Sequence, residues 1–171
     1  MKIEFKNFAL DDVPLYYKWC DKPYIKELWF KEGYEPKEAI LDKIKGNGIS
    51  YPFIIKLNNE SIGYIQFWDC TCSTEIFPNE KKGTYGVDLF IGEERYLNHG
   101  IGTIIMKAFI KKLFNEIDAD KIVIDPSETN KRAIKCYEKV GFTFARKAFD
   151  GVEGLHIMEI KKEDFTTNRC T

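Results

Sequence analysis

Apolar residues recur at two spacings along the chain, every second position and every third or fourth, and the switches between them mark out strands and helices. Lys2 to Phe8 alternates Ile3, Phe5 and Phe8 with polar residues and predicts a first strand. Asp11 and Asp12, with Pro14 in the first turn, predict a capped helix whose inner face is Val13, Leu15, Tyr16 and Trp19. Residues 22–33 are aromatic but aperiodic, holding Tyr24, Trp29 and Phe30 near Glu27 and Glu32. They fit either a loop folded over the core or a wall of a substrate site. Pro36 to Lys45 predicts a second helix, stopped by Gly46 and Gly48. Strands follow at Tyr51–Leu57 and Ser61–Cys70, joined by the hairpin dipeptide Asn58-Asn59. The second of them ends in Tyr64, Phe67 and Trp68.

The polar stretch 71–83 reads as a loop and Thr84–Ile91 as a strand. The turn Asn98-His99-Gly100-Ile101-Gly102-Thr103 then opens a helix with Ile105, Met106, Phe109, Leu113 and Phe114 on one face. Lys121–Asp125 is a short buried strand halted by Pro126. Ser127 to Asn130 caps a helix that runs to Val140 and stops at Gly141, and residues 142–149 and 155–160 form a hairpin across Asp150-Gly151. The predicted order is β, α, α, β, β, β, α, β, α, β, β. Mostly antiparallel strands with one β-α-β crossover predict an α/β (α+β) architecture, a single mixed sheet with flanking helices in one domain over residues 1–171.

Composition narrows the function classes. With 171 residues and a formal net charge of -1, the chain suits one domain with a real core and lacks the strongly basic body of a nucleic-acid binder. No run approaches the roughly 20 apolar residues of a membrane span, and Met1-Lys2-Ile3-Glu4-Phe5 is not an export signal. Cys20, Cys70, Cys72, Cys136 and Cys170 are an odd number without paired metal-ligand spacing. Cys70 and Cys72 would share one face of a strand, but no second pair completes a zinc site. The expectation is a cytoplasmic protein with reduced thiols, no metal, no nucleic acid and no membrane.

Candidate chemistry begins with the glycine turn. A strand, a glycine turn and a helix start expose backbone N–H groups to an anion, usually a phosphate or pyrophosphate. Gly100 and Gly102 lack the third glycine of a dinucleotide fingerprint and the Gly-Lys-Ser/Thr ending of a triphosphate loop. From spacing alone, an anion cradle and a packing turn are both open. Asp88 lies between apolar Val87 and Leu89, where a carboxylate is costly to bury unless it faces a cleft or a partner. An outward-facing strand carboxylate is the other reading. Asp125 precedes Pro126 at a strand end, a ligand position or ordinary turn chemistry.

The order of elements, the glycine turn and the segment Asn130-Lys131-Arg132-Ala133-Ile134-Lys135-Cys136-Tyr137-Glu138-Lys139-Val140-Gly141-Phe142 resemble the GNAT N-acetyltransferase superfamily over nearly the whole chain. Tyr85 to Glu93 and Asp125-Pro126-Ser127 resemble the aminoglycoside 6'-N-acetyltransferases within it. Two positions depart from that pattern. Leu97 stands where the superfamily usually has Gln or Arg, and Leu89 where several relatives carry Gln.

The resemblance implies direct acetyl transfer from acetyl-CoA to a primary amine of a small cationic acceptor, the 6'-amine of an aminoglycoside. It implies that Leu89, Phe90 and Ile91 line the pantetheine arm and that His99, Gly100, Ile101, Gly102 and Thr103 hold the pyrophosphate, with Asn130 and Ala133 flanking the cosubstrate. Through it Asp88 becomes a general base or an ammonium anchor, Tyr137 a general acid toward the coenzyme A thiolate, and Asp125 a ligand for a second substrate amine. A phenol with an ordinary pKa near ~10 matches that leaving thiol; a core tyrosine is the alternative. The His99 ring fits either a phosphate contact or an exposed turn residue. Asp69, Glu75, Glu80 and Glu153 would add negative charge, and Trp29 and Trp68 flat surfaces, around the acceptor. Cys136 is structural in this scheme, because direct transfer needs no covalent nucleophile. Other functions compatible with the architecture are a protein N-terminal or lysine acetyltransferase and a non-catalytic acyl-CoA sensor; a monomer or homodimer fits each.

Overall fold

The structure, a computed structural model, describes residues 1–29, 33–72 and 75–167. Phe30, Glu32 and Cys170, named above, lie outside the described residues. Strands β1 (Ile3–Asn7), β2 (Ser50–Leu57), β3 (Glu60–Asp69), β4 (Thr84–Ile91), β5 (Lys121–Ile124), β6 (Thr143–Phe149) and β7 (Gly154–Lys161) hydrogen-bond in the order β1-β2-β3-β4-β5-β7-β6. The helices are α1 (Val13–Cys20), α2 (Pro23–Trp29), α3 (Lys37–Lys45), α4 (Ile101–Lys112), α5 (Lys131–Val140) and α6 (Lys162–Thr167). The parallel β4–β5 pair carries the predicted crossover through α4, and the pairs β1–β2, β2–β3, β5–β7 and β6–β7 are antiparallel. Among the described residues, no helix is long and apolar enough to cross a membrane.

The chain divides into two compact units: Met1–Trp68 with Asp88–His99, and the described residues of Asp69–Val87 and from Gly100 onward. In the first, Asn58 and Asn59 both take positive φ (47° and 70°), the left-handed conformation that a two-residue hairpin turn requires and asparagine tolerates. The β2–β3 register that follows places Ile54 opposite Tyr64. Phe8, Tyr16, Trp19, Ile25, Ile40, Ile54, Tyr64 and Phe90 bury together. Tyr64 lies 4.9 Å from Tyr16 and 5.5 Å from both Phe8 and Phe90, ring centre to ring centre, so edge and offset ring contacts add to the burial.

Two local expectations change here. Asp12 does not cap α1 with its side chain; its carboxylate reaches back to Ala9 N (2.9 Å) and pairs with Lys6 (2.7 Å). Residues 23–29, read as aperiodic, form α2. Pro23 opens it, and only Ile25 is fully buried, so a short helix shows almost no apolar periodicity.

In the second unit, Ile105, Met106, Phe109, Ile110 and Leu113 have no exposed surface, and the last turns of the α4 segment widen to π-type hydrogen bonding over Leu113–Ile117. Asn130 caps α5 by accepting from Ala133 N (3.1 Å), and Gly141 ends it at φ 115°. The β6–β7 turn is closed by Asp150, whose Oδ1 accepts from Val152 N and Glu153 N, both at 2.8 Å. Helix α6 carries a single apolar anchor, Phe165, 5.4 Å from the Phe114 ring, too little for a periodic signal. Cys70 is buried and Cys72 exposed on a 3-10 turn, which corrects the expectation of a shared strand face; the four described cysteines are free thiols.

Gly63 on β3 is fixed by close approach: a Cβ there would lie 2.4 Å from the Phe90 carbonyl oxygen and 3.1 Å from Ile91 Cα. Both are backbone atoms and cannot rotate away. Gly63→Ala is expected to destabilise the protein by about 1–3 kcal/mol, read as a lower urea midpoint at unchanged slope.

Candidate active site

Strand alternation decides which side chains of β3 meet Asp88. Tyr64, Gln66 and Trp68, two residues apart, project from one face. The Gln66 amide donates from Nε2 to Asp88 Oδ2 at 2.8 Å, and the Trp68 indole donates to the same carboxylate. Gln66 Oε1 accepts from the Tyr64 hydroxyl (2.8 Å) and from Lys43 Nζ (3.1 Å), and Lys43 forms an ion pair with Glu35 at 2.6 Å. Among the described residues no buried side-chain nitrogen or oxygen lacks a partner.

Asp88 is half-buried as a residue while its carboxylate is heavily desolvated. Desolvation pushes its pKa above the ordinary carboxylate range; the Gln66 hydrogen bond, the Lys43 charge and the Trp68 hydrogen bond oppose that rise, and the Glu35 charge adds to it. The result is a carboxylate of increased basicity with two donors fixing its orientation. When both carboxylates are ionised, Asp88, Glu35 and Lys43 leave one net negative charge, suited to an ammonium group.

The chain beyond Asp88 is clamped. Gly92 N and Glu93 N donate to Ile62 O (2.7 and 3.1 Å), while Lys22 Nζ and the Tyr24 hydroxyl donate to Gly92 O (2.5 and 2.8 Å). The buried Trp19 indole donates to Glu93 at 2.8 Å. Phe90 commits its side chain to the aromatic cluster, with the Trp29 ring 5.8 Å away edge to face, whereas Leu89 and Ile91 stay half-buried. Trp29 itself is 38% exposed. His99 closes this unit as an exposed residue.

In the second unit, Gly100 takes φ 76° immediately before α4, and a Cβ on it would meet nothing within 4 Å. Ile101, Gly102 and Thr103 form the first turn of α4, whose N–H groups have no acceptor inside the helix. Thr103 Oγ1 lies 3.3 Å from Cys136 Sγ, which joins this turn to α5. Along α5, Asn130 is occupied as the cap, Ala133 is half-buried, and Tyr137 is buried with its ring 5.9 Å from Phe142. Asp125 is half-buried, and the segment after it is stitched to β7 by His156 N to Pro126 O (2.8 Å) and Glu128 N to Gly154 O (2.9 Å). Three of the expected acidic groups already have partners, Glu80 in an ion pair with Lys121 at 2.8 Å. Asp69 accepts from Thr71 N and Oγ1 (2.9 and 2.7 Å), and Glu153 accepts from Ser127.

Gln66, Lys43 and Glu35 were not anticipated. Gln66 carried a signal, a polar residue at the even positions of an otherwise apolar strand beside Tyr64 and Trp68. Lys43 falls on the helix face of Ile40 and Ile44, where a lysine is inward by spacing alone. Nothing in the sequence marks Glu35.

The fold is a mixed sheet with a parallel strand pair bridged by a helix; one unit holds a desolvated strand carboxylate and the other a helix start with open N–H groups. Residues 9–149 match the acetyltransferase (GNAT) domain model, and the chain belongs to that family of N-acetyltransferases. The chain is 34% identical over 138 residues to an aminoglycoside N(6')-acetyltransferase type 1 of Klebsiella pneumoniae, covering 77% of this chain and 69% of the relative. It superposes on the structure of AAC(6')-Ib in complex with ribostamycin and coenzyme A with a TM-score of 0.88 at 28% identity, over 99% of this chain and 98% of the other. It is 27% identical over 140 residues to an N-alpha-acetyltransferase of Saccharolobus solfataricus, covering 80% of this chain and 78% of that protein.

The elevated pKa of Asp88 has a consequence for stability. Its proton is bound more tightly in the folded than in the unfolded state, so ionised Asp88 opposes folding as pH rises from the unfolded value through the folded one; below both the difference vanishes. Asp88→Asn is expected to gain stability on the wild type as pH rises above the ordinary carboxylate range, and the advantage levels off once Asp88 is ionised in the folded state. Urea midpoints of the two proteins measured as a function of pH check it.

Proposed function

We propose that the protein transfers an acetyl group from acetyl-CoA to the 6'-amine of an aminoglycoside, with residues 1–171 acting as one cytoplasmic acetyltransferase domain. The observation that carries this reading is the Asp88 carboxylate, desolvated, doubly hydrogen-bonded and set in a cluster with net negative charge. The Klebsiella relative and the ribostamycin complex support the acceptor class. The archaeal N-alpha-acetyltransferase, at lower identity, supports a peptide amine as the second reading.

The donor set fits acetyl-CoA. Open space over Gly100 and the N–H groups of Ile101, Gly102 and Thr103 suit a diphosphate, with the His99 backbone beside them. Asn130 and Ala133 flank the cosubstrate, and Leu89, Ile91 and the backbone of Phe90 line its pantetheine arm. Acetyl-CoA supplies the acyl group as a thioester. Asp88 accepts the proton that the acceptor ammonium must lose before its nitrogen is nucleophilic, and an elevated carboxylate pKa favours that transfer. Tyr137 donates a proton toward the departing thiolate. Asp125 takes a second acceptor amine, and Trp68, Asp69 and Trp29 bound the acceptor. Trp68 serves twice, because its indole also orients Asp88.

Thiol release measured with kanamycin, tobramycin, spermidine and N-terminal peptides tests the acceptor. Turnover is expected with the aminoglycosides, and turnover confined to peptides would establish the second reading. In Asp88→Asn, kcat should fall about 10²-fold or more while calorimetric acetyl-CoA affinity stays within about twofold. Unchanged kcat would remove Asp88 from the reaction.

A further inference from the structure

The Gln66 amide is held at both ends. Its Oε1 receives two donors, Lys43 Nζ at 3.1 Å and the Tyr64 hydroxyl at 2.8 Å. Rotating the amide by half a turn would aim its NH2 at an ammonium that has no acceptor atom, so Nε2 is fixed toward Asp88. Lys43 is in turn immobilised: its side chain is 11% exposed, and Nζ is gripped by both Glu35 oxygens at 2.6 and 2.8 Å. The Tyr17 hydroxyl donates to the Glu35 carbonyl at 3.2 Å and fixes the segment that presents that carboxylate. An ordered series results, the Glu35–Lys43 ion pair, the Gln66 dipole and the Asp88 carboxyl group.

We propose that Lys43 and Glu35 are positioning residues that act through Gln66 to set the charge state and orientation of Asp88. Lys43 locks the amide and supplies the positive charge that keeps Asp88 ionisable inside an apolar sheet face. Glu35 holds Lys43 and partly cancels it, which prevents the ammonium from making Asp88 too weak a base. The proposal rests on the reading of Asp88 as the proton acceptor. Both effects act in the stated directions on Asp88, Lys43 lowering its pKa and Glu35 raising it. Among the described residues, the other polar groups that act on the carboxylate are Gln66 and Trp68, with Tyr64 beside them on β3. Tyr64 is held far above its ordinary pKa by burial, and Cys20, near Glu35, is pushed up to about 12, chiefly by burial, so neither titrates together with Asp88.

The test pairs Lys43→Met with Glu35→Gln. Asp88 ionisation is followed by the carboxyl carbon shift in protein labelled at aspartate carbon, and kcat/KM by thiol release between pH 5 and 9. Lys43→Met should raise the Asp88 midpoint and its acidic limb by about one pH unit, about a tenfold loss on that limb that fades at high pH. Glu35→Gln should move both downward, and Lys43→Arg should restore the wild-type position. General loosening of the fold would move the two variants alike, so shifts in the same direction, or none, overturn the proposal. If Lys43→Met does not fold, Glu35→Gln decides alone: a downward shift supports the pair and no shift overturns it. The carbon titration needs no acceptor, so it can fail independently of the aminoglycoside and base readings.

Discussion

A carboxylate on the apolar face of a strand is expensive unless its partners are already in place, and much of the first unit is arranged around that requirement. Desolvation alone would leave Asp88 protonated or drive the strand to expose it. The hydrogen bond from Gln66 opposes both, and it is available only because β3 presents Tyr64, Gln66 and Trp68 on one side. Helix α3 adds the positive charge of Lys43, with a glutamate as its counter-ion. The aromatic cluster of Tyr16, Tyr64 and Phe90 gives this polar assembly a rigid apolar border. Buried polar networks of this kind depend on complete satisfaction, and this one is complete among the described residues.

Rigidity at Asp88 also comes from below it in the chain. The bonds that gather Ile62, Lys22, Tyr24 and Trp19 around Gly92 and Glu93 pin the end of β4, so the backbone carrying the carboxylate has little freedom to drift. The second unit uses different means for a similar end. A left-handed glycine, an asparagine cap and a threonine–cysteine contact fix the starts of α4 and α5, where positions are set by backbone geometry rather than by charge. The two chemistries match the proposed tasks. Diphosphate recognition needs ordered N–H groups, and proton transfer needs a tuned acid-base pair.

The sequence made most of this readable where one rule acted alone. Alternation and turn residues located the strands, Gly141 ended α5, and the Asn58-Asn59 hairpin followed from side chains that tolerate positive φ. Asp88 stood out because a charged residue interrupts an apolar run. Where rules competed, the reading stopped. Helix α2 has too few buried residues to show a period, α6 has one anchor, and Asp12 turned its carboxylate toward Ala9 and Lys6 instead of the helix it precedes. The network behind Asp88 joins Glu35, Lys43, Gln66 and Asp88 across three segments, and such pairing is a property of the folded chain, invisible to local spacing.

The alternation of β3 gives its two faces different tolerances to substitution. Ile65 and Phe67 point to the face opposite Tyr64, Gln66 and Trp68 and are buried in packing that tolerates few replacements. Trp68 borders the carboxylate and donates to it through the indole, so a substitution there disturbs the setting of Asp88 while leaving the packing of the opposite face in place. One strand thus keeps apart what holds the sheet together and what surrounds a single carboxylate, so the second can be altered without loosening the first.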